Sequence, residues 1–119
     1  MTYNNIIFIY PIIAILFVHW IADFVLQKRI WAENKSKSIV SLSKHCITYS
    51  LCLVPLAFSF GFIWWVINSI SHFTIDFFTS KCTSKLYSKG NYHAFFEVIG
   101  FDQFLHIVIL LYPFIILIK

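Results

Sequence analysis

The sequence predicts an all-α membrane protein whose four transmembrane helices form two tandem helical hairpins in one bundle. Three observations lead there. Of its 119 residues, 60% are hydrophobic and only 12% charged, with a mean hydropathy of +0.80, whereas a soluble domain is about half apolar and a quarter charged. The apolar residues gather into four runs of roughly bilayer-crossing length, and nothing alternates as a barrel strand does. Finally, His19-Trp20-Ile21-Ala22-Asp23-Phe24 recurs as His72-Phe73-Thr74-Ile75-Asp76-Phe77, with a lysine (Lys28, Lys81) at the same distance behind each histidine. The length accommodates one domain, 1–119, and no separate soluble one.

The first expected span is 6–27. No basic segment precedes it and no small-residue cleavage site follows, so it is expected to be retained. Gln27, Lys28 and Arg29 close it at an interface, with Trp31 placed as an aromatic anchor. Ala32 to Ser38 is polar and reads as a loop. The second span, 40–58, contains Pro55, which should kink or end it, and 57–61 reads as a tight reversal. The third span is 62–79, with Trp64 and Trp65 near its start. Residues 82–100 read as a second loop with a turn at Lys89-Gly90-Asn91 and a short interfacial helix over 92–99. The fourth span, 101–118, carries a tolerated Pro113.

The net charge of +4 is distributed as a topology signal. Lys28, Arg29, Lys35, Lys37 and Lys44 follow the first run, and Lys81, Lys85 and Lys89 follow the third. A nucleic-acid surface needs a folded basic face, so no nucleic-acid partner is expected. The positive-inside rule puts both basic segments in the cytoplasm and both termini outside. The expected partners are membrane lipids, anionic lipid at the basic clusters included, and a homo-oligomer or larger membrane complex. Cys46, Cys52 and Cys82 show no metal-knuckle spacing and read as small reduced fillers.

Ionisable residues are costly in spans and mark function by default. Residues four apart share a helix face, so His19 pairs with Asp23 and His72 with Asp76. His19 and His72 each lie nine residues before a loop-opening lysine, roughly 13 Å at helical rise. Spans two and four bring His45 and His106 to the same half, and Asp102 lies one turn before His106. Imidazoles with carboxylates suit Zn²⁺, Mn²⁺ or Fe²⁺, and facing helices of a bundle can build one- or two-metal sites. His19, His72, His106 and His45 are the candidate metal ligands. Asp23, Asp76 and Asp102 are the candidate ligands or catalytic bases. Asn68, Gln27 and Gln103 are candidate supporting donors, although helix packing or headgroup contact explains such residues equally well. His93 belongs outside the site. Glu33, Asn34 and Lys35 read as a solvated loop that could also touch a substrate headgroup. Three readings of the set stay open: a metal centre, a proton relay through the same residues, and hydrogen bonds that fasten helices together. Haem fits poorly beside so many carboxylates, and no CxxCH occurs.

The run His19-x-x-x-Asp23-Phe24-Val25-Leu26-Gln27, the segment Ala32 to Lys37, Ser71-His72-x-x-x-Asp76 and Asp102-Gln103-x-x-His106 together resemble an uncharacterised family of small bacterial and phage membrane proteins. The resemblance covers nearly the whole chain after about Val18 and implies a membrane location, in bacteria the inner membrane. A looser similarity connects the pattern to bacterial inner-membrane metal-dependent hydrolases, which also place His and Asp at cytoplasmic span ends. That similarity implies hydrolysis, with a lipid or isoprenoid phosphate at the cytoplasmic interface as the expected substrate and a divalent metal ion as the cofactor. The alternative class is a proton- or ion-conducting protein, or an accessory subunit of a membrane complex.

Overall fold

The computed structural model describes residues 3–117, and every regular element among them is helical. Helix α1 spans Tyr3–Trp20 and passes into a π-helical turn, Ile21–Val25. Helix α2 is Arg29–Asn34, α3 Ile39–Cys52, α4 Val54–Phe60, α5 Phe62–Ser88, α6 Tyr92–Leu110 and α7 Tyr112–Leu117. Ile118, the expected end of the fourth span, lies outside the described residues.

Two helical stretches are long and apolar enough to cross a membrane: Phe8–Val25 and Tyr92–Leu110. The pair α3 and α4 makes a third if its two parts, bent by 51°, act as one span. Helix α5 has length in plenty at 27 residues, but its inward face is polar. Trp64, Asn68, His72, Asp76 and Ser80 recur every fourth residue along it, and all five are buried.

Helix boundaries differ from the hydropathy reading where the chain turns polar. The expected loop over 82–100 is almost entirely helix, because α5 continues to Ser88 and α6 begins at Tyr92. Hydropathy marks where a lipid-compatible surface ends, whereas helical hydrogen bonding continues as long as nothing breaks it. The remaining connection is Lys89-Gly90-Asn91, with Gly90 at φ 69° and the Asn91 side chain capping α6 by accepting from the Ala94 N–H at 3.2 Å. Ala32 likewise belongs to α2 and not to a loop. The expected reversal over 57–61 narrows to Gly61, whose φ of 95° is open to glycine.

Proline breaks are repaired by indoles. Pro55 sits in the first turn of α4, beyond the bend, and Pro113 in that of α7. The Phe114 N–H turns back to Leu111 O, which releases the Leu110 carbonyl, and Trp64 Nε1 donates to it at 3.1 Å. At the other bend Trp65 Nε1 donates to Ser50 O at 2.7 Å. Buried carbonyls thus keep partners where the ladder stops.

The interior has two layers. Ile15, Tyr49, Leu53, Trp64, Leu110 and Phe114 form an apolar plug with Ala22. Next to it, His19, Asp23, His45, His72, Asp76 and His106 are all buried. The outer surface is the apolar one, with Ile13, Phe17, Ile63, Ile70, Phe78 and Phe104 each more than half exposed.

Candidate metal centre

Asp23, His45, His72 and Asp76 offer one ligand atom each, all within 4.8 Å of one another. The π turn supplies Asp23, α3 supplies His45, and α5 supplies His72 and Asp76 one turn apart. His45 Nε2 lies 3.1 Å from Asp23 Oδ1, 3.2 Å from Asp76 Oδ2 and 3.1 Å from His72 Nε2. His72 Nε2 lies 3.6 Å from Asp23 Oδ1 and 3.8 Å from Asp76 Oδ2. A tetrahedral ion with bonds of about 2.0–2.1 Å sets its ligand atoms about 3.3–3.4 Å apart, and these five separations bracket that value. Two imidazole nitrogens and two carboxylate oxygens suit Zn²⁺, Mn²⁺ or Fe²⁺.

A second set, Asp23, Asp102 and His106, shares Asp23 with the first. Proton counting prevents both sets from being filled in this arrangement. His72 Nδ1 faces His106 Nδ1 at 3.3 Å. If both Nε2 atoms held metal, both Nδ1 atoms would carry hydrogens aimed at each other. With His72 Nε2 on a metal, its Nδ1–H donates to His106, and His106 keeps its proton on Nε2. That proton faces Asp76 Oδ1 at 3.3 Å and Asp102 Oδ2 at 3.5 Å. His106 and Asp102 then orient a ligand, the usual arrangement around a metal-bound histidine.

His19 stands outside both sets. Its Nε2–H donates to Gln103 Oε1 at 2.9 Å, so its Nδ1 accepts from the Tyr49 hydroxyl at 3.2 Å. Asp23 lies in the π turn, where Leu26 N–H bonds to Ile21 O five residues back, and Gln103 bonds to both side chains. The sequence echo between the two His–Asp pairs is therefore not a structural one.

Among the candidate donors, Gln103 bridges the site: its Nε2 donates to Asp23 Oδ2 at 2.8 Å and to Asp102 Oδ2 at 3.0 Å. Asn68 is buried but spends its amide on Trp64 O of its own helix. Gln27 lines a cavity of about 250 Å³ that opens beside Asp23 and Asp102. His93 is on the surface, paired with Glu97 at 3.2 Å.

Three contributors, Tyr49, Thr79 and Ser80, were not singled out in the sequence, and a fourth, Lys35, was expected in a solvated loop. Lys35 Nζ reaches 2.8 Å from Asp76 Oδ2, an ion pair with only 20% and 1% of the two side chains exposed. Burial alone would lower the Lys35 pKa, but Asp76, with Asp23 and Asp102 beyond it, raises it above the ordinary lysine value. Nothing in local periodicity marks Lys35, because α2 has to pack back on α3 to bring it in. Tyr49 stacks on His72 with ring centres 3.6 Å apart. Thr79 donates to Asp102 Oδ1, and Ser80 continues the every-fourth-residue stripe of α5. That stripe was the one readable signal for Ser80.

Asp23, Asp76 and Asp102 set three carboxylates against the ammonium of Lys35 and against His45 and His106, each of which lies within 3.5 Å of two of them. Buried charge left unpaired is costly: one divalent cation closes the balance with every imidazole neutral, and protonation of His45 and His106 closes it without a metal. No curated protein and no solved structure matches the chain. The family described as "Protein of unknown function (DUF3307)" matches residues 12–118, which include every residue of the cluster. The chain belongs to DUF3307.

Proposed function

We propose that this is an integral membrane protein holding one divalent metal ion through Asp23, His45, His72 and Asp76, and that it is a metal-dependent hydrolase. The substrate class is a lipid or isoprenoid phosphate met at the cytoplasmic interface. The observation that carries this reading is the four buried ligand atoms, drawn from three separate elements at near-tetrahedral spacing beside an open cavity. Helix-packing hydrogen bonds need pairs, not four convergent lone-pair donors with a shared centre.

The membrane part of the proposal is a four-span bundle with both termini outside, in bacteria in the inner membrane. The apolar outer surface and polar interior support it, as do the two or three candidate spans. The basic residues between α1 and α3 and late in α5 then lie on the cytoplasmic side.

A divalent ion held by Asp23, His45, His72 and Asp76 would supply Lewis acidity and lower the pKa of a water at the site. The chain's own residues handle protons and position. Asp102, on the cavity wall and held by Thr79 and Gln103, is placed to take the proton of the attacking water. As the new P–O bond forms and the ester P–O bond breaks, the leaving oxygen takes that proton back. His106, between His72 and Asp102, keeps both oriented.

One observation favours a second reading, a proton relay. His45, His72 and His106 form a continuous imidazole chain with steps of 3.1 and 3.3 Å. Metal content of purified protein, wild type beside His72→Ala, decides between them. One equivalent in wild type and none in the variant supports the metal centre. Metal-free wild type that added Zn²⁺, Mn²⁺ or Fe²⁺ does not reload leaves the relay.

A further inference from the structure

The cavity beside the ligand set has features that the metal does not use. Asp23, Asp102, Gln103, Lys35, Ser80 and Thr83 all line its volume of about 250 Å³. It adjoins a trough of about 450 Å³ that shares Lys35, Ser80 and Thr83 and adds Lys37, Ser84 and Ser88. Two buried side-chain atoms on the cavity wall have no hydrogen-bond partner: Ser80 Oγ and Gln27 Oε1. Ser80 is only 6% exposed. Buried hydroxyls are nearly always bonded, so an unpaired one on a cavity wall calls for a polar ligand.

Lys35 connects this wall to the metal set. Its ammonium sits 2.8 Å from Asp76 Oδ2, the same oxygen that lies 3.2 Å from His45 Nε2 within the ligand set. An ion bound at that oxygen repels the ammonium, and Lys35 already lines both the cavity and the trough. Charge then selects the ligand. The three carboxylates, one divalent ion and Lys35 sum to zero. A phosphodiester adds one negative charge, whereas free phosphate or a terminal monoester adds nearly two near neutral pH. Each uncompensated charge in a half-buried site is costly, so the monoanion fits better. Apolar surface is at hand for the rest of such a molecule, since Phe24, Phe95 and Ile99 also line the cavity and Phe24 is half exposed on the outer face.

We propose that this cavity binds the phosphodiester group of a membrane phospholipid, gripped by Lys35 and the hydroxyl of Ser80. The inference rests on the metal reading above and narrows its substrate to a diester.

The test uses full-length protein in detergent, loaded with one equivalent of Mn²⁺, and follows ³¹P relaxation of dihexanoyl-phosphatidylglycerol, with inorganic phosphate as the second probe. Expected is strong relaxation of the lipid phosphorus, with inorganic phosphate binding about tenfold weaker or less. Lys35→Met and Ser80→Ala should each weaken lipid binding about tenfold, with Lys44→Met, exposed and outside both the cavity and the trough, unchanged as the control. Lipid binding unaffected by both Lys35→Met and Ser80→Ala overturns the proposal, and so does equal or tighter binding of inorganic phosphate. Stoichiometric Mn²⁺ without any phosphorus relaxation overturns it while leaving the metal centre standing. Failure to take up Mn²⁺ or any other divalent ion overturns both.

Discussion

Lys35 Nζ and Asp76 Oδ2 lie 2.8 Å apart, joining a residue from the segment after α2 to the middle of the long helix α5. The contact gives the metal-free cluster its own internal cation. It also puts a positive charge on an oxygen that a metal needs.

Removing that charge should have opposite effects on the two states. Lys35→Met is expected to lower the thermal stability of the metal-free protein, since a carboxylate left without its partner in a buried pair costs roughly 3 kcal/mol at most for a pair that is still partly exposed. The same change should tighten metal binding about tenfold, because the ion no longer competes with an ammonium. Chelator competition beside thermal melts with and without metal measures both. Equal or weaker metal affinity would show that Lys35 does not oppose the ion.

The pH dependence follows from two kinds of group. Lys35 has a raised pKa, so while Asp76 is ionised the ion pair is complete below the unfolded lysine value of about 10.4 and is lost at the alkaline end only as pH climbs past the folded one. It therefore adds no slope near neutrality. Metal occupancy should nonetheless fall as pH drops through the histidine range, because His45 and His72 must be neutral to ligate. Metal content after dialysis between about pH 8 and pH 5 tests this. Occupancy that stays flat over that range would falsify ligation by imidazole.

Histidines that look alike in the sequence should separate on metal titration. His72→Ala should abolish binding and His106→Ala should weaken it about 10–100-fold. His19→Ala and His93→Ala should retain one equivalent. Two equivalents in wild type would mean that the His72 and His106 rings rearrange to admit a second ion.

Asp102→Asn should keep the metal and lower hydrolysis of a short-chain phospholipid by about 10²–10⁴-fold, the usual weight of a positioned acid or base. Phosphate-ester release by ³¹P detection measures it. Unchanged turnover would remove Asp102 from proton handling.

Cysteines introduced at Lys37 and Lys85 in a background without Cys46, Cys52 and Cys82 should label from the cytoplasmic face only. Labelling from opposite faces would refute the proposed orientation. Gly61→Ala should cost about 1 kcal/mol through backbone strain alone, because a Cβ there meets nothing within 4 Å while φ is 95°.

The legibility of this protein depends on how far apart in sequence the causes lie. Apolar length and the loss of water's hydrogen bonds dictate helices, so the helical class was readable from composition. His72 and Asp76, one turn apart on one helix, were readable as a shared face, and so was the polar stripe that runs on to Ser80. His45 and His106 were readable as interior histidines because each falls in the early turns of an apolar run, in the half expected to hold the His–Asp pairs. Family membership was readable too: an uncharacterised family was expected, and DUF3307 matches residues 12–118.

Tertiary structure decided which of these residues meet. His19 and Asp23 have the same spacing as His72 and Asp76, yet Asp23 meets His45 while His19 bonds to Tyr49 and Gln103, partners that only packing brings in. Gln103 became a bridge between two carboxylates, and Lys35 a buried cation, only because α6 and the segment after α2 pack against other helices. The sequence by itself determined which helix faces carry the polar residues that turn inward. Whether an imidazole on one of those faces ends beside a carboxylate, as His45 does, or beside a tyrosine, as His19 does, is set by packing between helices.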